Sequence, residues 1–138
     1  IRWPTVSSNP IGSRSLPLLV AINGFLVVAL GAFGAHGLKT LIAPEAMQYW
    51  HTGVRYQMFH VVGLLACAFF ASTCEARPHA ARWAVVAACL FVLGMVFFSG
   101  SLYLLALTQK SWLGMVVPVG GVFFLLGWIS LAICHFRR

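Results

Sequence analysis

LPLLVAINGFLVVALGAFGAHGL, residues Leu16 to Leu38, contains only two strongly polar side chains, Asn23 and His36. A helix needs about 20 consecutive apolar residues to cross the hydrocarbon core of a bilayer, which is roughly 30 Å thick. Apolar and polar residues do not alternate here as they would in a β-strand, and backbone groups in lipid must be hydrogen-bonded within the protein. The pattern therefore predicts a transmembrane helix.

Three more apolar runs complete the predicted fold. Hydrophobic residues make up 61% of the 138 residues and charged residues only 8%, whereas a soluble domain carries about 25% charged residues. Lipid must therefore surround much of the chain. We predict an all-α fold, an integral membrane four-helix bundle, with residues 1–15 as an N-terminal extension and 16–138 as the transmembrane domain. The predicted spans are about 16–38, 56–73, 83–108 and 112–136.

The connection between the first and second spans has a helical pattern of its own. Pro44 and Glu45 are typical of the first turn of a helix, where proline fits and an acid faces the positive end of the helix dipole. Apolar side chains then recur at helical spacing, with polar side chains on the opposite side. This predicts a short interfacial helix between helices 1 and 2. Its apolar positions are Met47, Trp50, Val54 and Met58, and its polar positions are Gln48, His51 and Arg55.

The distribution of charge predicts the orientation. The formal net charge is +7, and the cations stand at the ends of apolar runs, where they can contact lipid headgroups. They form no cluster of the kind that nucleic-acid binding requires, so no nucleic-acid partner is predicted. Six cations fall on the side that holds both termini and three on the other side, which places both termini inside. The six are Arg2, Arg14, Arg77, Arg82, Arg137 and Arg138; the three are Lys39, Arg55 and Lys110.

The start of the sequence favours a mitochondrial location. The first residue is Ile1, the first 44 residues contain no acid, and arginine and serine recur near the beginning, as at the end of a mitochondrial presequence. We therefore expect the mitochondrial inner membrane, with both termini on the matrix side. Two alternatives remain: an ordinary basic flank of a membrane protein, or a secretory signal ending near Ala35. Three further spans follow Ala35, which disfavours the signal peptide.

Unusual polar residues collect in the outer leaflet when the chain is threaded through the membrane. They are His36, His60, Ser99, Ser101 and Tyr103. A polar side chain within a membrane is by default a candidate functional residue. Hydrogen bonds between helices are the favoured interpretation of this predicted cluster. Ligation of a haem iron by the two histidines, proton transfer, and binding of another ligand are the alternatives.

Small residues predict close helix packing. Helices associate in lipid through close backbone contact, because apolar side chains gain nothing by leaving the lipid tails. A glycine-lined cleft for a small molecule is the alternative. We also expect Asn23 to bond to a neighbouring helix and Pro118 to kink the fourth span. The predicted packing glycines are Gly31, Gly34, Gly37, Gly100, Gly120 and Gly121.

The sequence predicts neither a catalytic site nor a metal or cofactor. No nucleophile elbow, phosphate-binding loop or metalloprotease motif occurs, and the only two acids are Glu45 and Glu75. Zinc is disfavoured because two of the four nearby candidate ligands are adjacent on one helix and point about 100° apart. These four are Cys74, His79, Cys134 and His135.

Four motifs in order resemble one known family. They are GAFGAHGL at 31–38, YQMFH at 56–60, FSGSLY at 98–103, and PVGG at 118–121 with GW at 127–128. Together they resemble the small four-helix membrane proteins of the bacterial YgdD type, called transmembrane protein 256 in animals. The resemblance covers roughly Leu16 to Ala132. It implies four membrane helices and brings no activity, because the family is of unknown function.

The leading hypothesis for function is a non-catalytic accessory subunit of a mitochondrial inner-membrane complex, in particular one of the respiratory chain. Its partners would be other membrane protein subunits and membrane lipids. The alternative hypothesis is a membrane module that binds or transports a quinone, a lipid or a small solute near His36, His60 and Tyr103. A membrane-embedded enzyme is the third and least favoured hypothesis.

Overall fold

The computed structural model describes residues 12–74 and 76–137. Within these residues the chain is helical apart from short connections, and they include no strand. The all-α prediction is therefore confirmed. The helices are α1 (Gly12–His36), α2 (Pro44–Thr73), α3 (Pro78–Gly94), α4 (Ser101–Thr108) and α5 (Leu113–Phe136), with a 3₁₀ turn at Leu38–Thr40 and a π-helical segment at Met95–Gly100.

Four helical spans are long and apolar enough to cross a membrane. The third consists of α3, the π segment and α4, which follow one another without interruption. The prediction of four transmembrane helices in an integral membrane bundle is confirmed. The spans are Arg14–Thr40, Pro44–Thr73, Pro78–Thr108 and Leu113–Phe136.

The first span begins earlier than the apolar pattern suggested. The helix α1 starts at Gly12, so residues 12–15, which were assigned to the N-terminal extension, are helical. Residues 1–11 of that predicted extension lie outside the described residues, and so do Glu75 and Arg138.

The helix predicted to begin at Pro44 does begin there. Pro44 occupies the first turn, after Ala43 with an extended backbone, and Glu45 is in the same turn. The prediction that this helix is a separate interfacial element is wrong, because α2 continues without a break to Thr73. No proline interrupts it, and Gly53, a weak helix former, is held by contacts with Ser99 and Tyr103. At about 1.5 Å per residue, the 30 residues of α2 span about 45 Å, longer than the hydrocarbon core.

The helices lie in sequence order, each beside the next. The helix α1 packs against α2, α2 packs against the third span, and α3 has its most extensive contacts with α5. Leu64, Phe91 and Phe124 belong to the largest buried apolar cluster, which joins these helices. We call the end of the bundle that carries residues 37–43 and 109–112 the distal end; it is opposite to the two chain termini. Most of the candidate functional residues lie in the distal half.

Two expectations about single residues have different outcomes. Asn23 does not bond to another helix, because its side-chain amide donates to the carbonyl of Leu19 one turn earlier in α1, at 2.9 Å. A short polar side chain can satisfy itself in this way within its own helix. The helix α5 continues through Pro118, whose missing N–H leaves the carbonyl of Gly114 without its usual helical donor. The kink at Pro118 stays a prediction.

Candidate functional site

His60 is one of the most enclosed polar residues among those described, with only 3% of its surface exposed. Its Nδ1 atom lies 2.7 Å from the carbonyl oxygen of Tyr56. A carbonyl only accepts hydrogen bonds, so Nδ1 carries the proton and Nε2 is an acceptor. The indole N–H of Trp128 on α5 donates to Nε2 at 3.2 Å. His60 is therefore a neutral imidazole with both nitrogens occupied, and it joins α2 to α5.

Aromatic rings surround this imidazole. The ring of Phe124 lies parallel to that of His60, with centroids 3.5 Å apart and planes 5° apart. Phe59 meets His60 edge to face at 5.3 Å, and Phe91 and Trp128 complete the enclosure at 5.4 and 6.0 Å. Stacking adds to the free energy gained from burial alone. These aromatic rings therefore enclose the imidazole of His60 within the bundle.

Two hydrogen bonds join α2 to the third span at the next level toward the distal end. The hydroxyl of Tyr103 donates to the side-chain oxygen of Gln57 at 2.7 Å. The hydroxyl of Ser99 donates to the backbone carbonyl of Gly53 at 2.8 Å. Gln57 and Ser99 are buried, so either polar group would be costly to leave without a hydrogen-bond partner. These side chains therefore hold the second and third spans together.

Trp50 extends the same cluster to α1. Its indole N–H donates to the carbonyl of Leu30 at 3.0 Å, and its ring packs on Tyr103 with centroids 4.6 Å apart. Gly34 makes room for this ring, because a Cβ atom at Gly34 would lie 2.6 Å from the indole nitrogen. The polar cluster thus contacts all four spans through His60, Gln57, Trp50 and their partners.

The π segment Met95–Gly100 places two of the contacting residues. It carries Ser99 and also Phe98, whose ring lies 4.5 Å from that of Tyr56. Gly120 of α5 packs directly on the backbone of Phe98, and a Cβ atom at Gly120 would lie 2.7 Å from the Phe98 Cα. A single π turn within an α-helix is frequent at functional sites. The sequence pattern gave no indication of this segment.

The structure brings together three of the five predicted polar residues. His60 lies on α2, and Ser99 and Tyr103 of the third span donate hydrogen bonds to α2. Ser101 is buried at the start of α4 but takes no part in these hydrogen bonds. His36 is exposed at the end of α1. Ligation of one haem iron by His36 and His60 does not fit this geometry, because both nitrogens of His60 are already hydrogen-bonded.

The predicted packing glycines fall into two groups. A Cβ atom at Gly34 or Gly120 would clash with Trp50 or Phe98 of another helix, whereas one at Gly31 or Gly121 would be in ordinary contact with Val54 or Phe98. The nearest atoms to Gly37 and Gly100 belong to their own helices.

The sequence did not identify several residues of the site, because aromatic residues and glycines at helical spacing do not reveal which helix they face. These are Trp50, Gly53, Gln57, Gly63, Phe91, Gly94, Phe124, Gly127 and Trp128.

The disfavoured zinc ligands do not converge. Cys74 and Cys134 are buried in the same apolar cluster near the termini, whereas His79 and His135 are exposed. Within the described part of the chain, no three histidine, cysteine or acidic side chains are grouped so that they could hold a metal ion.

Comparison with known proteins places this bundle in a family. Residues 30–121 match the family described as "Protein of unknown function (DUF423)", which is more than half of the chain. The chain belongs to this family. The DUF423 description assigns no catalytic activity, and the resemblance to YgdD-type proteins seen in the sequence is confirmed.

Three bacterial relatives illustrate the similarity. The chain is 46% identical to the "UPF0382 membrane protein YwdK" of Bacillus subtilis, over 84% of this chain and 91% of that protein. It is 42% identical to a "UPF0382 membrane protein" of Haemophilus influenzae, over 86% and 91%. It is 40% identical to the "UPF0382 inner membrane protein YgdD" of Escherichia coli, over 91% and 92%. No solved structure matches the chain.

Proposed function

We propose that this DUF423 protein is a non-catalytic accessory subunit of an inner-membrane protein complex. The observation that carries the proposal is the use of the interior polar groups. Among the described residues, every buried side-chain nitrogen or oxygen has a hydrogen-bond partner. A substrate that entered the bundle would have to displace the bonds of His60, Gln57 or Ser99, which connect helices. This arrangement favours a packing role over chemistry inside the bundle.

The outward face of α1 is the surface on which we expect a larger subunit to pack. In the most apolar window of the first span only 11% of the residues are buried, against 44% in the third span. The helix contacts α2 extensively, α3 slightly, and α5 not at all within the described residues. Small side chains and a terminal polar group favour helix association in lipid. The face opposite to α2 carries one small residue, Ala29, and ends in a polar residue, His36; its other exposed residues are Leu18, Ile22 and Phe25.

The mitochondrial inner membrane is the location that we propose, with the distal end toward the intermembrane space and both termini in the matrix. The acid-free, arginine- and serine-containing start of the chain supports it. The greater number of cations at the end that carries the termini supports the orientation. The Escherichia coli relative is named an inner membrane protein, which agrees with a location in an inner membrane. A complex of the respiratory chain is the proposed partner.

Blue-native electrophoresis after extraction in a mild detergent tests this proposal. We expect the wild-type protein to migrate in a complex much larger than its own 15.0 kDa. Ala29→Trp, on the exposed face of α1, should release it, because the new ring prevents close approach of a partner helix. Val122→Trp is the matched control, since Val122 is exposed on α5, and it should leave the complex intact. Migration of the wild type only as a free monomer contradicts the proposal.

The π segment favours a second candidate function, a binding or transport module for a quinone, a lipid or a small solute. Such a ligand would sit beside Tyr103 and His60, where the helical hydrogen-bond pattern changes. Quenching of tryptophan fluorescence by a short-chain quinone tests this candidate. His60→Phe should abolish quenching and leave assembly intact if the candidate is correct. If the protein is instead an accessory subunit, His60→Phe weakens packing by about 0.6 kcal/mol. Neither the wild type nor the variant then shows saturable quenching.

A further inference from the structure

One face of α2 near the distal end borders a shallow, open groove of about 590 Å³, and all the residues that line it belong to this helix. The polar side chains recur at i, i+3, i+4 and i+7, so they lie on a single face of the helix. Val54 and Met58 line the groove together with them. The polar residues are Gln48, His51, Thr52 and Arg55.

The depth of this groove matches the boundary of the hydrocarbon core. About 20 helical residues cross the core, and counting back from Thr73 at the other end of α2 reaches the neighbourhood of Val54. Arg55 therefore lies at the edge of the core, and His51 and Gln48 lie one and two turns further out, in the headgroup layer. A guanidinium group at this depth can extend toward the interface while its stem stays in lipid.

Among the described residues, no acidic side chain lies near Arg55 along the helix. The chain contains only two acids, and Glu45 is the one within the described residues. Glu45 precedes Arg55 by ten positions on the same helix, which corresponds to about 15 Å along the helix axis. An exposed cation at the edge of hydrocarbon is most stable beside an anion, which here the surroundings have to supply.

We propose that this groove binds an anionic phospholipid. Arg55 binds the phosphate through its planar fork of N–H donors, which fits phosphate oxygens better than a lysine ammonium does. His51, Thr52 and Gln48 supply further hydrogen bonds from the headgroup layer.

Exposed apolar side chains continue the groove toward the opposite end of α2. They recur at helical spacing on the face that carries Arg55, so an acyl chain attached to the bound headgroup can lie along them. This apolar continuation is why the occupant is a phospholipid rather than free phosphate. The side chains are Met58, Val62, Leu65 and Phe69. The site requires no partner subunit, so it stands independently of the proposed assembly.

Native mass spectrometry of the purified protein tests the site. The protein is exchanged into detergent with phosphatidylglycerol or with phosphatidylcholine of the same acyl chains. We expect phosphatidylglycerol to remain bound after activation and phosphatidylcholine to dissociate, because the choline cation cancels the net negative charge that attracts Arg55. Arg55→Gln should weaken phosphatidylglycerol retention about tenfold, the effect of losing one charge-assisted hydrogen bond. Arg55→Lys should lose part of the retention because it keeps the charge without the fork.

Lys110→Gln is the matched control. Lys110 is an exposed cation at the same distal end, and its removal should leave retention unchanged. An equal loss in Lys110→Gln and Arg55→Gln overturns the site, since it indicates diffuse attraction by net charge. Equal retention of the two lipids also overturns it. If millimolar inorganic phosphate displaces phosphatidylglycerol, the acyl chain does not contribute to binding, and this contradicts the proposal. Circular dichroism of each variant verifies that the helices are intact.

Discussion

The hydroxyl of Tyr103 on α4 donates a 2.7 Å hydrogen bond to the side-chain oxygen of Gln57 on α2. The two residues are 46 positions apart in the sequence, and the bond joins the second span to the third in the distal half of the bundle. Gln57 is buried, so its amide group cannot turn to water instead. A polar residue that the sequence marks as unusual within the membrane therefore has a structural partner in the same chain.

Tyr103→Phe should lower the stability of the bundle by a small, measurable amount. The change removes the hydroxyl and leaves the ring, so the packing on Trp50 is kept while Gln57 loses its donor. Hydrogen bonds between membrane helices contribute about 0.6 kcal/mol on average, with a maximum near 1.7 kcal/mol. The free energy of unfolding in mixed micelles of detergent and dodecyl sulfate measures the loss. Tyr49→Phe is the control, because Tyr49 is exposed, and a loss of equal size there argues against the Tyr103–Gln57 bond.

Gly120→Ala should destabilise the protein, whereas Gly114→Ala should not. A Cβ atom at Gly120 would overlap the backbone of Phe98, which cannot move aside as a flexible side chain could. A Cβ atom at Gly114 would meet nothing within 4 Å. We expect a loss of about 1–3 kcal/mol at Gly120 and a neutral or slightly stabilising effect at Gly114, where alanine is the better helix former. Equal effects at the two glycines, measured by the same unfolding assay, contradict the close contact between α5 and the π segment.

Much of the fold is predictable from the sequence because it depends on local properties. Apolar length determines that four helices cross the membrane, and Pro44 with Glu45 determines where α2 begins. The prediction of a separate interfacial helix is wrong because the polar side chains of residues 48–55 occupy one face of a helix that continues without a break from Pro44 to Thr73. The prediction that Asn23 bonds to a neighbouring helix is also wrong, because its side chain bonds to a carbonyl of its own helix.

The contacts of the candidate site are less predictable because they depend on the register between helices. Nothing in the sequence near His60 identifies Trp128 as its donor, 68 positions away. The π segment lies where Gly120 of α5 closely approaches the backbone of Phe98, and this contact is a property of the packed bundle. Residue types and helix periodicity therefore identify candidates such as Ser99, whereas only the tertiary structure shows which groups they contact.

Cysteine labelling tests the predicted orientation. Lys110→Cys at the distal end should react with a membrane-impermeant maleimide in intact cells or mitoplasts. Arg77→Cys, in the turn at the opposite end, should react only after the membrane is permeabilised. Wild-type protein gives the background, because Cys67, Cys74 and Cys134 are buried and Cys89 lies within the third span. Labelling of both variants from the same side rules out this topology, and a reversed pattern rules out the orientation.

The central claim is that the polar residues inside this bundle join its helices to one another, and a double-mutant cycle between His60 and Trp128 tests it most directly. His60→Phe, Trp128→Phe and the double variant are compared with the wild type by the free energy of unfolding in mixed micelles. We predict a coupling energy of about 0.6 kcal/mol, because the two single changes remove the same hydrogen bond. Strictly additive effects of the two changes would show that His60 and Trp128 do not interact, and would contradict the account.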